Sequence, residues 1–170
     1  MRTLLLCVLA LCSHVMSMTA QVTGRIEYPY RADYEDQLVL PIGDKGLVIQ
    51  SFAKDSKAGK RYFKTEFYST MMTPVSTDSM LIDKGMYYYS NIVDNGVLYT
   101  VLRESDGTFM IVAFNATTHK ITVTDGEYTR KGTMRNLIIS NDNVVFSSTQ
   151  KKIDRIGIIN LKTGESHFAD

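Results

Sequence analysis

The sequence predicts an all-β fold, a propeller-like array of about three four-stranded antiparallel units. Three observations predict it. First, an apolar–turn–apolar pattern recurs, as Pro41-Ile42-Gly43-Asp44-Lys45-Gly46-Leu47-Val48-Ile49-Gln50, as Asn91-Ile92-Val93-Asp94-Asn95-Gly96-Val97-Leu98-Tyr99-Thr100, and as Ile138-Ile139-Ser140-Asn141-Asp142-Asn143-Val144-Val145-Phe146-Ser147. The copies lie about 50 and about 47 residues apart, the spacing of stacked β units or propeller blades. Second, polar breaks and turns interrupt the chain about every 8 to 12 residues, the rhythm of an all-β sandwich, barrel or propeller. Third, each copy opens a segment long enough for about four short strands, which selects the propeller among those three.

The elements follow in chain order. Residues 1–20 read as a signal peptide. Arg2 supplies the positive start, Leu4 to Leu11 is a short apolar run, and small residues follow at Ser17, Thr19 and Ala20. The run falls short of the roughly 20 residues that span a bilayer. Cys12 after Leu9-Ala10-Leu11 raises a lipoprotein anchor, but Leu11 is large where a small residue is usual. Cleavage is placed after Ala20, within a window from Ser17 to Ala20, and the protein is expected to be exported: periplasmic, on the cell surface or secreted.

Export changes the composition. Cys7 and Cys12 both lie in the leader, so the remaining chain has no disulfide to hold it. Of 19 basic side chains only Arg2 is lost, leaving 18 against 18 acidic ones. That balance, with no basic cluster, argues against nucleic acid and anionic membrane surfaces as partners. No later run is long enough to cross a membrane.

Residues 21–37 form an N-terminal approach segment. Pro29 disfavours a central strand, while Gly24 to Tyr28 alternates as an outer strand would. Tyr28, Tyr30 and Tyr34 read as rings packing the segment onto the sheet, with an exposed aromatic strip as the functional alternative.

Residues 38–170 form the β-propeller-like repeat domain. Its first unit, 38–83, holds strands at Leu38–Ile42, Leu47–Ala53, Arg61–Tyr68 and from Pro74 to Ile82. Asp44-Lys45-Gly46 is its opening turn, with Gly46 free to take positive φ. The second unit, 86–128, holds strands at Tyr87–Val93, Val97–Arg103, Thr108–Asn115 and Ile121–Thr124, with turns at Asp94-Asn95-Gly96 and Ser105-Asp106-Gly107. The third unit, 136–170, holds strands at Leu137–Ser140, Val144–Thr149, Arg155–Leu161 and Ser166–Phe168. The later units match beyond their opening hairpins: Lys84-Gly85 stands to Lys131-Gly132 as the second turn stands to the third. Phe114-Asn115-Ala116-Thr117-Thr118-His119-Lys120 aligns with Ile159-Asn160-Leu161-Lys162-Thr163-Gly164-Glu165.

That last stretch, an apolar strand followed by Asn160-Leu161-Lys162-Thr163-Gly164-Glu165, resembles the strand-turn of secreted bacterial β-propeller repeats, and the opening hairpins resemble them too. The resemblance covers about Leu38 to Asp170 and implies a repeat scaffold without implying one function. The sequence has no tryptophan, so the Trp-Asp signature of the large eukaryotic propeller family is absent.

Propellers close with at least four blades, and three are counted, so the array is an incomplete propeller. Three expectations follow: a longer propeller of which this is part, a homo-oligomer that completes the ring, or a twisted sandwich whose regularity is only apparent. The end at Asp170, directly after a complete unit, favours the first.

The search for chemistry yields no catalytic, cofactor or metal residues. There is no G-x-S-x-G, H-E-x-x-H, P-loop or dinucleotide fingerprint. His119 and His167 sit in different units without metal spacing, and no local context supports a Ser-His-Asp arrangement. Asp44, Asp94 and Asp142 occupy turns, where Asp serves the backbone, rather than glycosidase positions. Ser105-Asp106-Gly107-Thr108-Phe109 is faintly similar to the aspartate-box turn of sialidase propellers, but lacks the residue between Asp and Gly and the tryptophan. In Tyr87-Tyr88-Tyr89, alternation puts Tyr87 and Tyr89 on one face and Tyr88 on the other. Packing between blades is favoured there over sugar stacking. Asn115-Ala116-Thr117 fits a glycosylation acceptor. The expected function is an exported non-enzymatic binding or scaffold module with a protein or glycan partner. The propeller portion of a larger exported peptidase or glycan-active enzyme, and a β-sandwich surface-assembly protein, are the alternatives.

Overall fold

The computed structural model describes residues 32–55, 57–105, 107–127, 133–150 and 152–169. The leader, the strand expected at Gly24 to Tyr28, Tyr28 and Tyr30, Asp106 and Lys131-Gly132 lie outside the described residues. Twelve strands are present among those described, with one short 3-10 turn at Gly43–Lys45 and no α-helix. Strands β1 (Tyr34–Pro41), β2 (Leu47–Ala53), β3 (Lys60–Tyr68) and β4 (Pro74–Asp83) form the first sheet. Strands β5 (Tyr87–Asp94), β6 (Val97–Arg103), β7 (Thr108–Asn115) and β8 (Lys120–Glu127) form the second. Strands β9 (Thr133–Ser140), β10 (Asn143–Gln150), β11 (Ile153–Asn160) and β12 (Ser166–Ala169) form the third.

Each sheet is an antiparallel meander in sequence order, and no strand leaves its own sheet. Three separate sheets of four strands are the expected propeller-like blades, and they set aside the twisted sandwich, which needs two. β2, β6 and β7 have the boundaries the sequence predicts. Most of the others differ by one or two residues at an end, and three elements extend by three or more. β1 starts at Tyr34 rather than Leu38, so Tyr34 to Gln37 belong to the sheet, across a register shift between Glu35 and Leu38. β8 extends to Glu127 and β9 starts at Thr133. The residues added to β1 and β8 are mostly polar or glycine, and ladder bonding carries those strands on, whereas β9 gains Met134, which is buried in the core.

The second sheet is buried on both faces. Leu98, Leu102, Val112 and Phe114 pack on the first sheet, against Val48, Phe67, Phe52, Phe63 and Ile82. Tyr99, Val101, Phe109 and Ile111 pack on the third, against Met134, Ile139, Val144, Phe146 and Ile159. This explains the composition of β6, where five consecutive residues are buried. A strand covered on both sides reads as a nearly continuous apolar run, broken in β6 by Thr100, whose hydroxyl is hydrogen-bonded to Gln50.

The first copy of the repeat needs a correction. The sequence alignment puts Val48, Gln50 and Phe52 level with Leu98, Thr100 and Leu102. These two sets face each other across one junction instead of pointing the same way round the array. The turns differ in build. Asp94 pairs with Val97 across two residues, whereas Pro41 pairs with Leu47 beyond an extra closing bond from the Ile42 N–H to the Gly46 carbonyl at 2.8 Å. One additional pairing step reverses the face of every residue that follows. Gly46 takes φ 133, and a Cβ there would lie 2.0 Å from the Tyr68 carbonyl oxygen. The expected glycine conformation is therefore present, and the turn also backs onto β3.

The alignment of the later units holds at atomic level. The Asn115 Oδ1 accepts from the backbone N–H groups of Thr117 and Thr118, both at 2.9 Å. The Asn160 Oδ1 accepts from those of Lys162 at 2.9 Å and Thr163 at 3.0 Å. Both turns end on a left-handed residue, His119 (φ 57) in one and Gly164 (φ 74) in the other.

Candidate functional site

The tyrosine run divides as the alternation requires. Tyr88 packs on the apolar cluster shared with the first sheet, and burial pushes its phenol pKa up. Tyr89 packs on the cluster shared with the third sheet and donates its hydroxyl to the Met134 carbonyl at 2.9 Å. A register shift between Tyr88 and Ser90 marks a β-bulge at this point. The guanidinium of Arg103 lies 5.2 Å from the Tyr87 ring centre and 4.4 Å from that of Tyr89. Tyr87 and Tyr89 thus share a face, but they share it with a cation, and Tyr89 serves blade packing. Tyr87 keeps 39% of its surface exposed. Tyr34 also packs: it is half-buried, with the Lys64 ammonium 5.6 Å from its ring centre.

The remaining candidates are dispersed. The His119 ring lies 5.4 Å from that of Phe67 and joins the second sheet to the first. His167 is exposed on β12. Asp44 is exposed in the 3-10 turn. Asp142 binds the Lys162 ammonium at 2.6 Å. The phenol of Tyr99 has a raised pKa, first from burial and then from the negative charges of Asp142 and Asp94. Both aspartates thus act on the same phenol, whose proton they help to hold. Among the described residues no group of three His, Cys, Asp or Glu side chains could hold a metal ion. No described helix is long and apolar enough to cross a membrane.

A concave site that sequence reasoning missed lies along the fourth-strand side of the array. It is an open cleft of about 740 Å³, inside the range of about 300–1,000 Å³ typical of ligand sites. All three sheets contribute. Lys60 and Asp83 come from the first and form an ion pair at 2.7 Å. Met86, the link between the first two sheets, and Phe109 from β7 line its floor as buried core residues, and half-buried Met110 from β7 supplies apolar surface. Phe168 supplies more from the third, over the buried Ile159. Glu104, Asp125 and Glu127 stand with Asp83 around it, so four carboxylates face one ammonium.

The walls have a local cause. Gly126 pairs directly with Phe109 across β7 and β8, and a Cβ on Gly126 would meet the Phe109 ring at 2.3 Å. The tip of the Phe109 ring lies over the glycine, and the ring reaches Phe146, with ring centres 5.3 Å apart. Phe146 in turn lies over Gly157, its cross-strand partner, at the same 2.3 Å, and meets the exposed Phe168 at 6.1 Å. A glycine inside a strand signals close approach of another group. Gly126 and Gly157 were the available signal for this wall. The acidic side chains gave no signal, because Asp83, Glu104, Asp125 and Glu127 are scattered over more than 40 residues of sequence.

No protein family model matches the chain, and no curated protein matches it. Among solved structures, a variant of Synechocystis apocarotenoid oxygenase is similar with a TM-score of 0.46 at 6% identity, over 78% of this chain and 37% of that one. A chimera of ACO and RPE65 is similar with a TM-score of 0.46 at 6% identity, over 79% of this chain and 39% of that one. The chain spans well under half the length of these proteins, and likeness at this level carries no chemistry across to it.

Proposed function

We propose that this protein is an exported binding module whose cleft takes a basic, partly apolar segment of a partner protein. The observation that carries the reading is the composition of the cleft wall. Half-buried Met110 and exposed Phe168 give apolar surface above the buried Met86 and Phe109, and four carboxylates with one ammonium surround it. Such a surface attracts cations before contact, and its apolar part supplies burial on docking. Methionine adapts to different side chains, which suits a polypeptide better than a rigid neutral sugar. The leader at residues 1–20 supports export.

Two measurements test this. Expression of the full chain in a secreting host should release a product whose mass corresponds to cleavage between Ser17 and Ala20; retention of the intact chain in the cytoplasm argues against export. Calorimetric titration with a lysine–leucine repeat peptide should show binding that weakens as salt screens the charges. The variants Asp125→Lys and Glu127→Lys should each lower that affinity about tenfold. Unchanged binding in both variants, or equal binding of a neutral serine-rich peptide, would overturn the assignment of the cleft.

A further inference from the structure

The two ends of the array differ. On the outer face of the first sheet the centre is closed: Ile49 is 4% exposed and Ser51 2%. Lys64 and Glu66 lie beside them as a buried ion pair at 2.9 Å. On the outer face of the third sheet the centre is open and apolar. Ile138, Val145 and Ile158 form one continuous cross-strand row, with exposures of 60%, 36% and 41%. Ile156 lies beside that row at 53%.

The repeat shows what such a face normally meets. Both β6 and β10 follow two-residue turns, so Tyr99 and Val101 correspond to Val145 and Ser147. In the second sheet this face, with Phe109 and Ile111, is buried to 8% or less by the third sheet. The third sheet presents the same face with nothing described packed on it.

We propose that this face is the interface between two copies of the chain, stacked sheet on sheet about a two-fold axis. Its charges fit that operation. Arg135 on β9 pairs with Ser147, and Asp154 on β11 pairs with Thr149, one outward-facing step further along β10. The Thr149 hydroxyl hydrogen-bonds the Asp154 carboxylate at 2.5 Å and holds it on this face. A two-fold axis along β10 exchanges the β9 and β11 sides. It brings Arg135 of each copy to within about 7 Å along the strand of the other's Asp154, inside the reach of an arginine. The apolar row then lies against its own copy, with the side chains interdigitating. An isologous contact closes at two copies and needs no second surface. Head-to-tail growth would need the first sheet's outer face, whose centre is already closed.

The test is sedimentation of the full exported chain from low to high micromolar concentration. A dimer in equilibrium with monomer is expected. Val145→Lys, at the middle of the row, should raise the dissociation constant about 100-fold while leaving the monomer's melting transition in place. Arg135→Glu and Asp154→Arg should each weaken the dimer, and the double variant should restore it, which a merely structural role for either residue would not produce. A monomer at every concentration, a dimer indifferent to Val145→Lys, oligomers that keep growing with concentration, or failure of the double variant to recover would each overturn the proposal.

Discussion

The two junctions between sheets are built differently. Between the second and third sheets the core is one apolar cluster, with Phe109 and Phe146 edge to face over paired glycines. Between the first and second sheets there are two clusters, and a buried polar contact crosses between the same sheets. The Thr100 hydroxyl donates to the Gln50 Oε1 at 2.8 Å, while the Gln50 Nε2 and the Thr65 hydroxyl lie buried without a hydrogen-bond partner among the described residues. The difference separates two ways of fixing a stack. An apolar junction gains most from burial and tolerates sliding until shape stops it. A buried polar pair gives up stability but permits one registry, since any shift leaves two polar groups unpaired.

The largest expected effect strikes the apolar junction. Phe146→Ala should destabilise by about 3–5 kcal/mol, because it opens a cavity between the two sheets. Gly157→Ala should cost about 1–3 kcal/mol by forcing the Phe146 ring off its seat. Denaturant melts of both variants check this. If Gly157→Ala is neutral, the ring has room to move and the close fit is not what holds the junction.

The polar junction should behave in the opposite way when both partners change. Gln50→Leu alone leaves the buried Thr100 hydroxyl unpaired and should cost about 1–3 kcal/mol. Gln50→Leu with Thr100→Val should recover most of that, or exceed the starting stability, in the same melts. A double variant as unstable as the single would mean that the pair stabilises the junction and does not merely register it.

A smaller effect compares two matched turns. His119 holds the left-handed conformation that Gly164 holds in the next unit. His119→Gly should relieve about 1 kcal/mol of backbone strain, but it loses the ring contact with Phe67. In a Phe67→Leu background nothing of that contact is left to lose. The gain from His119→Gly should therefore be larger there than in the parent chain, as a double-mutant cycle measures.

The smallest effect is alkaline. Tyr88 and Tyr99 have pKa values raised above 10.0, and the Lys162 value is raised above 10.5 by its hydrogen bond to Asp142. All three groups hold their protons more tightly when folded. Their contribution is whole below those ordinary values and is lost as pH rises through the folded ones. Melting temperature should therefore fall above about pH 10. Tyr99→Phe should flatten part of the decline, and an unchanged slope would show that Tyr99 does not report on the junction.

Much of the fold was legible because its signals are local. Asp and Asn, often beside Gly, placed the hairpins, and the apolar or alternating runs between them placed the strands. The matched asparagine turns at Asn115 and Asn160 confirmed the later repeat bond by bond. Other features were hidden for equally physical reasons. The start of β1 at Tyr34 depends on ladder bonds to Ala53 and Phe52, not on its own polar residues. The cleft depends on carboxylates of the first and second sheets that meet only when those sheets stack.

By itself the sequence determined the strands, their turns and the number of units, since each is set by alternation and turn chemistry within a few residues. It also determined that each strand has two distinct faces. Which face meets which neighbour was decided only by the tertiary structure. A single extra pairing step after Ile42 reversed the first sheet's faces relative to its repeat partners. Alternation records that two sides differ, while burial against another sheet decides which of them becomes core.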